Sequence, residues 1–282
     1  EYARSIEEEH NKCFRFTITT NGVLLNDENI EYINREMSNA VLSIDGRKEV
    51  NDDLRPTVNG KGSYDVIVPK FQKLIEGRGT KDYYLRGTFT RFHQDFAEDV
   101  KALASIGRNI SVEPVVGKEE DPYALQEADL PALKAEYERL AEYLRDHPET
   151  NFFHFNVDLA QGPCVIKRLR GCGAGCEYVA ITPEGDIYPC HQFVGNEDYK
   201  LGSLYDGTFD KELSGRFAGL NIYTREECRD CWARFYCSGG CSASNLLVNG
   251  DIKKPHRVGC ELERKRLECA IALRAIAAGM AE

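Results

Sequence analysis

Residues 228–241, with the sequence CRDCWARFYCSGGC, carry four cysteines separated by two, five and three residues. A fifth, Cys260, follows Cys241 after eighteen further residues. Thiols this close in sequence can converge on one centre, because the turns between them reverse the chain. Gly239 and Gly240 let the backbone pass close to a bulky inorganic group. The segment therefore predicts a metal-binding region in the second half of the chain.

Other cysteines lie upstream of this segment, and Cys190 follows a predicted hairpin whose arms flank residues 183–186. The upstream set is Cys164, Cys172, Cys176 and Cys190. With the downstream five, these give eight or nine ligands, enough for two sites of four. Cysteine-only donors favour 4Fe–4S clusters, while zinc and purely structural thiols remain alternatives. Disulfides are not expected, because no secretory signal is visible.

Two of the eleven cysteines are expected to be structural. Cys13 opens a predicted strand. Cys269 lies on the apolar stripe of a predicted C-terminal helix, together with Leu262, Leu273, Ile276 and Met280, where packing is more common than ligation.

The first half alternates predicted strands and helices. Strands are predicted at Phe14–Asn21, Ala40–Asp45, Tyr84–Thr90 and Asn109–Val116, and helices near 27–37, 64–76, 95–106 and 129–146. Asp27 and Asp129 are predicted N-caps, and Pro69 is expected to bend or delay its helix. Such alternation predicts parallel strands joined by right-handed crossovers.

Each predicted strand has one apolar and one polar face. Apolar rows packed under helices would leave the polar rows lining a concave, ligand-binding lumen of an open α/β barrel. An antiparallel sheet with one solvated face is the alternative, which the intervening helices disfavour. Since barrel sites lie at the C-terminal strand ends, the candidates are Asn21, Asp45, Thr90 and residues 113–116. Arg86 is predicted to bind an anionic ligand or to pair with Asp45 or Glu113.

Composition limits the class of protein. The 282 residues are 42% hydrophobic, and no run of 18 apolar residues predicts a membrane span. A net charge of −10 argues against a nucleic-acid partner. A cytoplasmic location is expected. The chain starts at Glu1 rather than Met, and residues 1–10 read as helix, so it is expected to begin within a larger protein.

The pattern from Cys172 through Gly185 and Cys190 to Cys260 resembles the SPASM domain, the cysteine-rich extension of radical S-adenosylmethionine (SAM) enzymes that mature peptides and proteins. Residues 19–22 (TTNG), 43–46 (SIDG) and 86–90 (RGTFT) resemble the middle of the radical SAM core. Residues 171–175 and 188–195 are similar to the thioether-forming maturases of peptides with six cysteines in forty-five residues.

The resemblance implies a partial parallel (β/α) barrel over 1–150, a small α+β SPASM domain over 151–265 and a C-terminal helix over 256–282. It implies two auxiliary 4Fe–4S clusters and, in the full-length enzyme, SAM and a third cluster. Ser43, Arg86, Asn21 and Val115 would contact SAM. The implied ligands of the distal auxiliary cluster are Cys228, Cys231, Cys237 and Cys260. Those of the proximal cluster are Cys172, Cys190 and Cys241, with Cys164 favoured over Cys176 as a fourth, or an open position.

The implied activity is formation of thioether cross-links in a cysteine-rich precursor peptide, with flavodoxin or ferredoxin as the electron donor. Sulfatase-maturase-like formylglycine formation is the alternative, although His191 stands where those enzymes have an aspartate after the cysteine matching Cys190. An iron–sulfur electron carrier or zinc-bound interaction module is the non-enzyme alternative. The Cys-x3-Cys-x2-Cys loop of the SAM-cleaving cluster does not occur in the sequence. We therefore expect an N-terminally truncated chain that cannot cleave SAM by itself.

Overall fold

A computed structural model describes residues 1–157 and 165–279. For residues 165 and 166 it describes the backbone alone. The chain divides into two compact units. The first comprises residues 1–115 and 135–156, and the second comprises residues 116–134 and 157–282. Cys164 and Met280 lie outside the described residues.

A five-stranded parallel sheet in the order β1-β2-β3-β4-β5 forms the centre of the first unit. Its strands are β1 (Thr17–Thr20), β2 (Asn39–Ser43), β3 (Asp82–Phe89), β4 (Asn109–Pro114) and β5 (Asn151–Phe152). The helices are α1 (Tyr2–Ser5), α2 (Asp27–Glu36), α3 (Lys48–Leu54), α4 (Tyr64–Glu76), α5 (Phe96–Ala104) and α6 (Leu130–Asp146). This topology confirms the predicted parallel α/β fold and excludes the antiparallel alternative.

The sheet alternates between a buried and a solvated row, as the sequence predicts. In β2 and β3, Leu42 and Leu85 are fully buried, whereas Ser43 and Arg86 on the other face are accessible. Aromatic rings extend the buried side, since Phe96 stacks on Phe89 at 4.4 Å and contacts Tyr137 at 4.7 Å between ring centroids. Apolar burial of this kind is the main stabilising contribution to the unit.

Several local predictions differ from the structure. The N-terminal helix ends at Ser5 instead of continuing to residue 10, and α3 and β5 were not predicted. Asn26, not Asp27, caps α2, because its side chain accepts from the Asn29 amide while Asn29 returns a bond to the Asn26 amide. Helix α4 starts at Tyr64 and runs through Pro69.

The second unit combines short strands with helices. A four-stranded antiparallel sheet contains β6 (Ala180–Ile181), β7 (Asp186–Tyr188), β8 (Gly202–Ser203) and β9 (Thr208–Phe209). The helices are α7 (Val165–Arg170), α8 (Lys211–Ala218), α9 (Arg234–Cys237), α10 (Ser242–Asn249) and α11 (Arg257–Ala277). The hairpin β6–β7 turns at residues 182–185, which confirms the predicted hairpin.

A small apolar core supports this sheet and holds Cys190 in place. Phe193 and Phe217 meet edge to face at 5.5 Å between ring centroids, and Tyr188, Leu201 and Leu213 pack with them. Cys190 belongs to the same buried cluster, so its thiol is fixed by packing. Among the described residues, no helix combines the length and apolar composition needed to cross a bilayer.

Candidate metal and cofactor sites

The predicted cofactor residues of the first unit lie toward one edge of its sheet. Ser43 pairs in register with Arg86, and Arg86 pairs with Ser111 on β4. Asn21 follows β1, and Val115 follows β4, where its amide donates to the Phe89 carbonyl at 3.0 Å. Because the strands are parallel, their carboxyl ends share this edge, the usual position of ligand sites in α/β folds.

Arg86 forms an ion pair with Glu113 on the solvated face of the sheet. Its Nη2 lies 2.6 Å from Glu113 Oε2, and its Nε lies 3.2 Å from Oε1. Burial acts to raise the pKa of Glu113, but the hydrogen bond and charge of Arg86, with the charge of His154, hold it below its ordinary value. Both partners are partly exposed, so a polar ligand can reach this guanidinium.

Two other residues must be considered at this polar site: His154 belongs to it, whereas Asp45 is bound by other groups. His154, which the sequence analysis missed, places Nε2 3.2 Å from Ser111 Oγ and 3.8 Å from Glu113 Oε1. It lies in the turn Phe153–Phe155 directly after the two-residue strand β5, too short for its pattern to be recognised. The Asp45 carboxylate instead accepts hydrogen bonds from Arg55 Nε, at 2.5 Å, and from the Thr88 amide, at 2.9 Å.

Four thiols of the second unit surround one cavity of about 410 Å³. They are Cys228, Cys231, Cys237 and Cys260. The first three lie in or beside the turn Glu226–Cys228 and helix α9, and Cys260 lies in the first turn of α11. Their electrostatic interactions agree with this grouping. The charge of Cys260 acts to raise the pKa of Cys237, and the charges of Cys228 and Cys231 act to raise the pKa of Cys260.

Burial dominates the chemistry of these thiols. It raises the pKa of Cys237 to about 11, with the charge of Cys260 acting in the same direction. It also raises the pKa of Cys260 to about 11, although Arg264 acts to lower it. Thiols this basic stay protonated near neutral pH, and a bound cationic iron centre would favour their conversion to thiolates.

The lining of the cavity fits a sulfur-rich cluster, because it combines four thiols with buried hydrogen-bond donors. Across residues 1–157 and 165–279, no three Cys, His, Asp or Glu side chains are close enough together to hold a single metal ion. The buried Nε atoms of Arg225 and Arg234 have no hydrogen-bond acceptor within the described residues. Arg234 lines the cavity, and Arg225 contacts its wall at Gly239. A sulfur-rich cluster would provide acceptors for such donors.

A second thiol group consists of Cys172, Cys190 and Cys241. Burial raises the pKa of Cys190, and the charges of Cys241 and Cys172 act on it in the same direction, so the three lie together. Cys172 and Cys241 are exposed, whereas Cys190 is buried. Cys176 is exposed and lines a small cavity of about 20 Å³ with Cys172, but its Sγ bonds the Gly173 carbonyl at 3.4 Å.

The two cysteines expected to be structural line neither of the described cavities. Cys13 is exposed in the first unit, and Cys269 is buried within α11 and lines neither cavity. The sequence did not single out Arg225, Arg234 or Arg264. An arginine beside a cysteine motif has no recognisable spacing of its own, so no sequence signal distinguished these three from surface arginines.

Comparison with known proteins identifies a domain in the second half of the chain. Residues 172–232 match the model of SPASM, an iron–sulfur cluster-binding domain. The mycofactocin maturase MftC of Mycolicibacterium smegmatis is 28% identical over 225 residues, 76% of this chain and 55% of that protein. A cysteine-type anaerobic sulfatase-maturating enzyme of Clostridium novyi is 24% identical over 250 residues, 80% of this chain and 63% of the enzyme. The chain thus spans between 55% and 63% of the length of these two relatives.

Solved structures support the fold. The structure of native anSMEcpe with bound AdoMet and the Kp18Cys peptide matches with a TM-score of 0.75 at 17% identity, covering 99% of this chain and 80% of that one. The predicted resemblance is confirmed. The chain carries a SPASM domain and has the fold of the radical SAM peptide-modifying enzymes.

Proposed function

We propose that this chain, with its SPASM domain and its radical SAM fold, forms part of a maturase that makes thioether cross-links in a cysteine-rich ribosomal peptide. The observation that carries the proposal is the pair of thiol groups in the second unit. In one group, four thiols line a cavity, and the other group combines the exposed Cys172 and Cys241 with the buried Cys190.

The four-thiol group would hold the distal auxiliary cluster and the three-thiol group the proximal one. Four cysteines satisfy a 4Fe–4S cluster, so the distal set is complete. The proximal set has three within the described residues, while Cys164 lies outside them. We infer that its fourth position accepts a substrate thiolate. The exposure of Cys172 and Cys241 supports this inference, because a peptide could approach a position beside them.

In the first unit, Arg86 and Ser43 would bind polar groups of SAM, and Asn21 and Val115 would border it at the strand ends. Bound SAM and the clusters supply hydrogen-atom removal and electron uptake. The protein's task is to position a substrate carbon next to a substrate thiolate and to exclude water. Forming the C–S bond breaks one C–H and one S–H bond, so the peptide loses two protons and two electrons in total: one hydrogen atom would go to the radical derived from SAM, one proton to water and one electron to an auxiliary cluster.

Sulfatase-type maturation is the second candidate, favoured by the similarity to the Clostridium novyi enzyme. It would oxidise a cysteine or serine side chain to an aldehyde. His191 weighs against it, because the resemblance places an aspartate there. In this chain the His191 ring lies 3.5 Å from the Tyr178 hydroxyl, so an imidazole replaces the carboxylate beside Cys190.

Anaerobic reconstitution of the chain tests the metal assignment. We expect iron and sulfide near eight per chain with a brown chromophore, as two four-iron clusters require. Zinc without visible absorbance would contradict the proposal and support an interaction module instead.

The reaction is tested with the full gene product, a reducing system and a cysteine-rich peptide. A thioether appears as the loss of two hydrogens with one thiol blocked to alkylation. An aldehyde that reacts with a hydrazine reagent would replace the thioether proposal by the second candidate. Clusters without any change in the peptide would favour an electron carrier.

A further inference from the structure

Arg225 is a buried cation next to both thiol groups. Its side chain is 3% exposed, and it precedes the turn Glu226–Cys228. Nη1 donates to the carbonyls of Ile252, at 2.6 Å, and Lys253, at 3.1 Å. Nη2 donates to Ser242 Oγ at 3.1 Å. The guanidinium is therefore held in one orientation by three hydrogen bonds to neutral oxygens.

The positive charge of Arg225 has no compensating carboxylate contact among the described residues. Its Nε is also buried and has no acceptor there. Nε lies against Gly239, where an added Cβ would come within 2.7 Å of it. Gly239 lines the four-thiol cavity. A buried charge without a contacting carboxylate is costly, so its position favours a counter-charge in addition to that of Asp251, which acts on Arg225 with no ion pair among the described residues.

Arg225 faces the two groups at once. The charges of Cys228, Cys237 and Cys241 all act on it, the first two from the distal group and the third from the proximal group. Ser242, to which it donates, directly follows Cys241. Gly239 lies between Cys237 and Cys241 in the chain. One guanidinium thus contacts the segment that joins a ligand of one site to a ligand of the other.

We propose that Arg225 is a positioning residue shared by both auxiliary clusters, whose buried positive charge raises the reduction potential of each. The inference rests on the proposed binding of two clusters. Reduction adds one negative charge to a cluster, and a nearby cation stabilises the reduced form more strongly in a low-dielectric interior than in water. The hydrogen bonds to Ile252, Lys253 and Ser242 hold that charge in place.

A purely structural role is the competing explanation, because the same three hydrogen bonds also join the segments around Ser242 and Ile252. The two roles differ in what a lysine can replace. Lysine keeps the charge but cannot make the forked pattern of bonds, whereas methionine keeps much of the volume and removes the charge.

The test compares Arg225→Met and Arg225→Lys with the unmodified chain, all reconstituted anaerobically. Iron and sulfide are assayed first, and the midpoint potentials of both clusters are then measured by EPR-monitored redox titration. Arg216→Met is the matched control, because Arg216 is an exposed arginine of the same unit. The unmodified chain separates the two claims: if it binds no clusters, the proposed function fails before Arg225 is tested.

With clusters present, we expect Arg225→Met to shift both potentials to more negative values and Arg225→Lys to retain them. Arg216→Met should leave them unchanged. Unchanged potentials in Arg225→Met at full iron content, or a shift of one cluster alone, would overturn the shared role. If Arg225→Met loses iron, the iron content and potentials of Arg225→Lys distinguish the charge role from the structural role. Full iron with unmodified potentials supports the charge, and loss of iron or a negative shift in this variant assigns Arg225 to structure instead.

Discussion

The two units of this protein differ in the apolar packing that lies behind their polar groups. In the first unit, a continuous apolar layer lies under the sheet, and the polar row with Ser43, Arg86 and Ser111 is added on the other face. In the second unit, the segment 223–241 buries only Cys228 and Ala233 among its apolar side chains. Its functional thiols are therefore also a large part of what can hold it together.

The two units therefore differ in how far their stability depends on a bound cofactor. Burial of apolar area stabilises the first unit whether or not a ligand binds. A segment of short helices and turns without an apolar core resembles small metal domains, in which binding and folding are coupled.

Replacing Cys237 by serine should have the largest effect. We expect loss of the distal cluster, about half of the iron. Metal-coupled folding is worth on the order of 10 kcal/mol in small metal domains, so residues 223–241 should lose amide protection. Iron analysis and hydrogen exchange measure both, with β1–β4 as the internal reference. Cys13→Ser, in the first unit, is the control, and full iron content in Cys237→Ser would refute the ligand assignment.

Replacing Phe96 by alanine should affect the first unit alone. Phe96 is fully buried between Phe89 and Tyr137, and such truncations cost about 3–5 kcal/mol. Denaturant unfolding should show this loss at unchanged iron content. The exposed Phe92 offers a control, since Phe92→Ala should leave stability nearly unchanged. Equal losses in the two variants would contradict the assigned core.

The cap of α2 provides a smaller test. Asn26→Ala removes the side-chain acceptor of the Asn29 amide, a change worth about 1 kcal/mol. Asp27→Ala removes only an exposed ion pair with Lys73, worth at most about 0.5 kcal/mol. A larger loss from Asp27→Ala in thermal unfolding would restore Asp27 as the cap.

Arg86→Met should cost little stability, under about 1 kcal/mol, because the pair with Glu113 is partly exposed. The pKa of Glu113 should rise, since Arg86 holds it below its ordinary value. The stability that this carboxylate contributes is present above its unfolded pKa and is lost as pH falls through the folded value. The variant should therefore lose less stability on acidification. NMR titration of Glu113 checks the shift, and an unchanged pKa would contradict the pairing.

The sequence predicted more of the first unit than of the second. Strands β1–β4 and four of its helices follow from apolar spacing, because burial imposes a period of two on strands and 3.6 on helices. The two-residue strands β5, β8 and β9 carry no such signal. His154 was missed for the same reason, since its place beside Ser111 depends on β5 pairing with β4.

By itself, the sequence determined the parallel α/β fold, the hairpin before Cys190 and the presence of a cysteine-rich metal module, because periodicity and ligand spacing are local properties of the chain. The tertiary structure alone shows that Arg86 pairs with Glu113 while Asp45 binds Arg55, that four thiols line one cavity, and that Arg225 contacts Gly239 and Ser242 beside it. These are contacts between residues distant in sequence, and packing selects them after the local elements have formed.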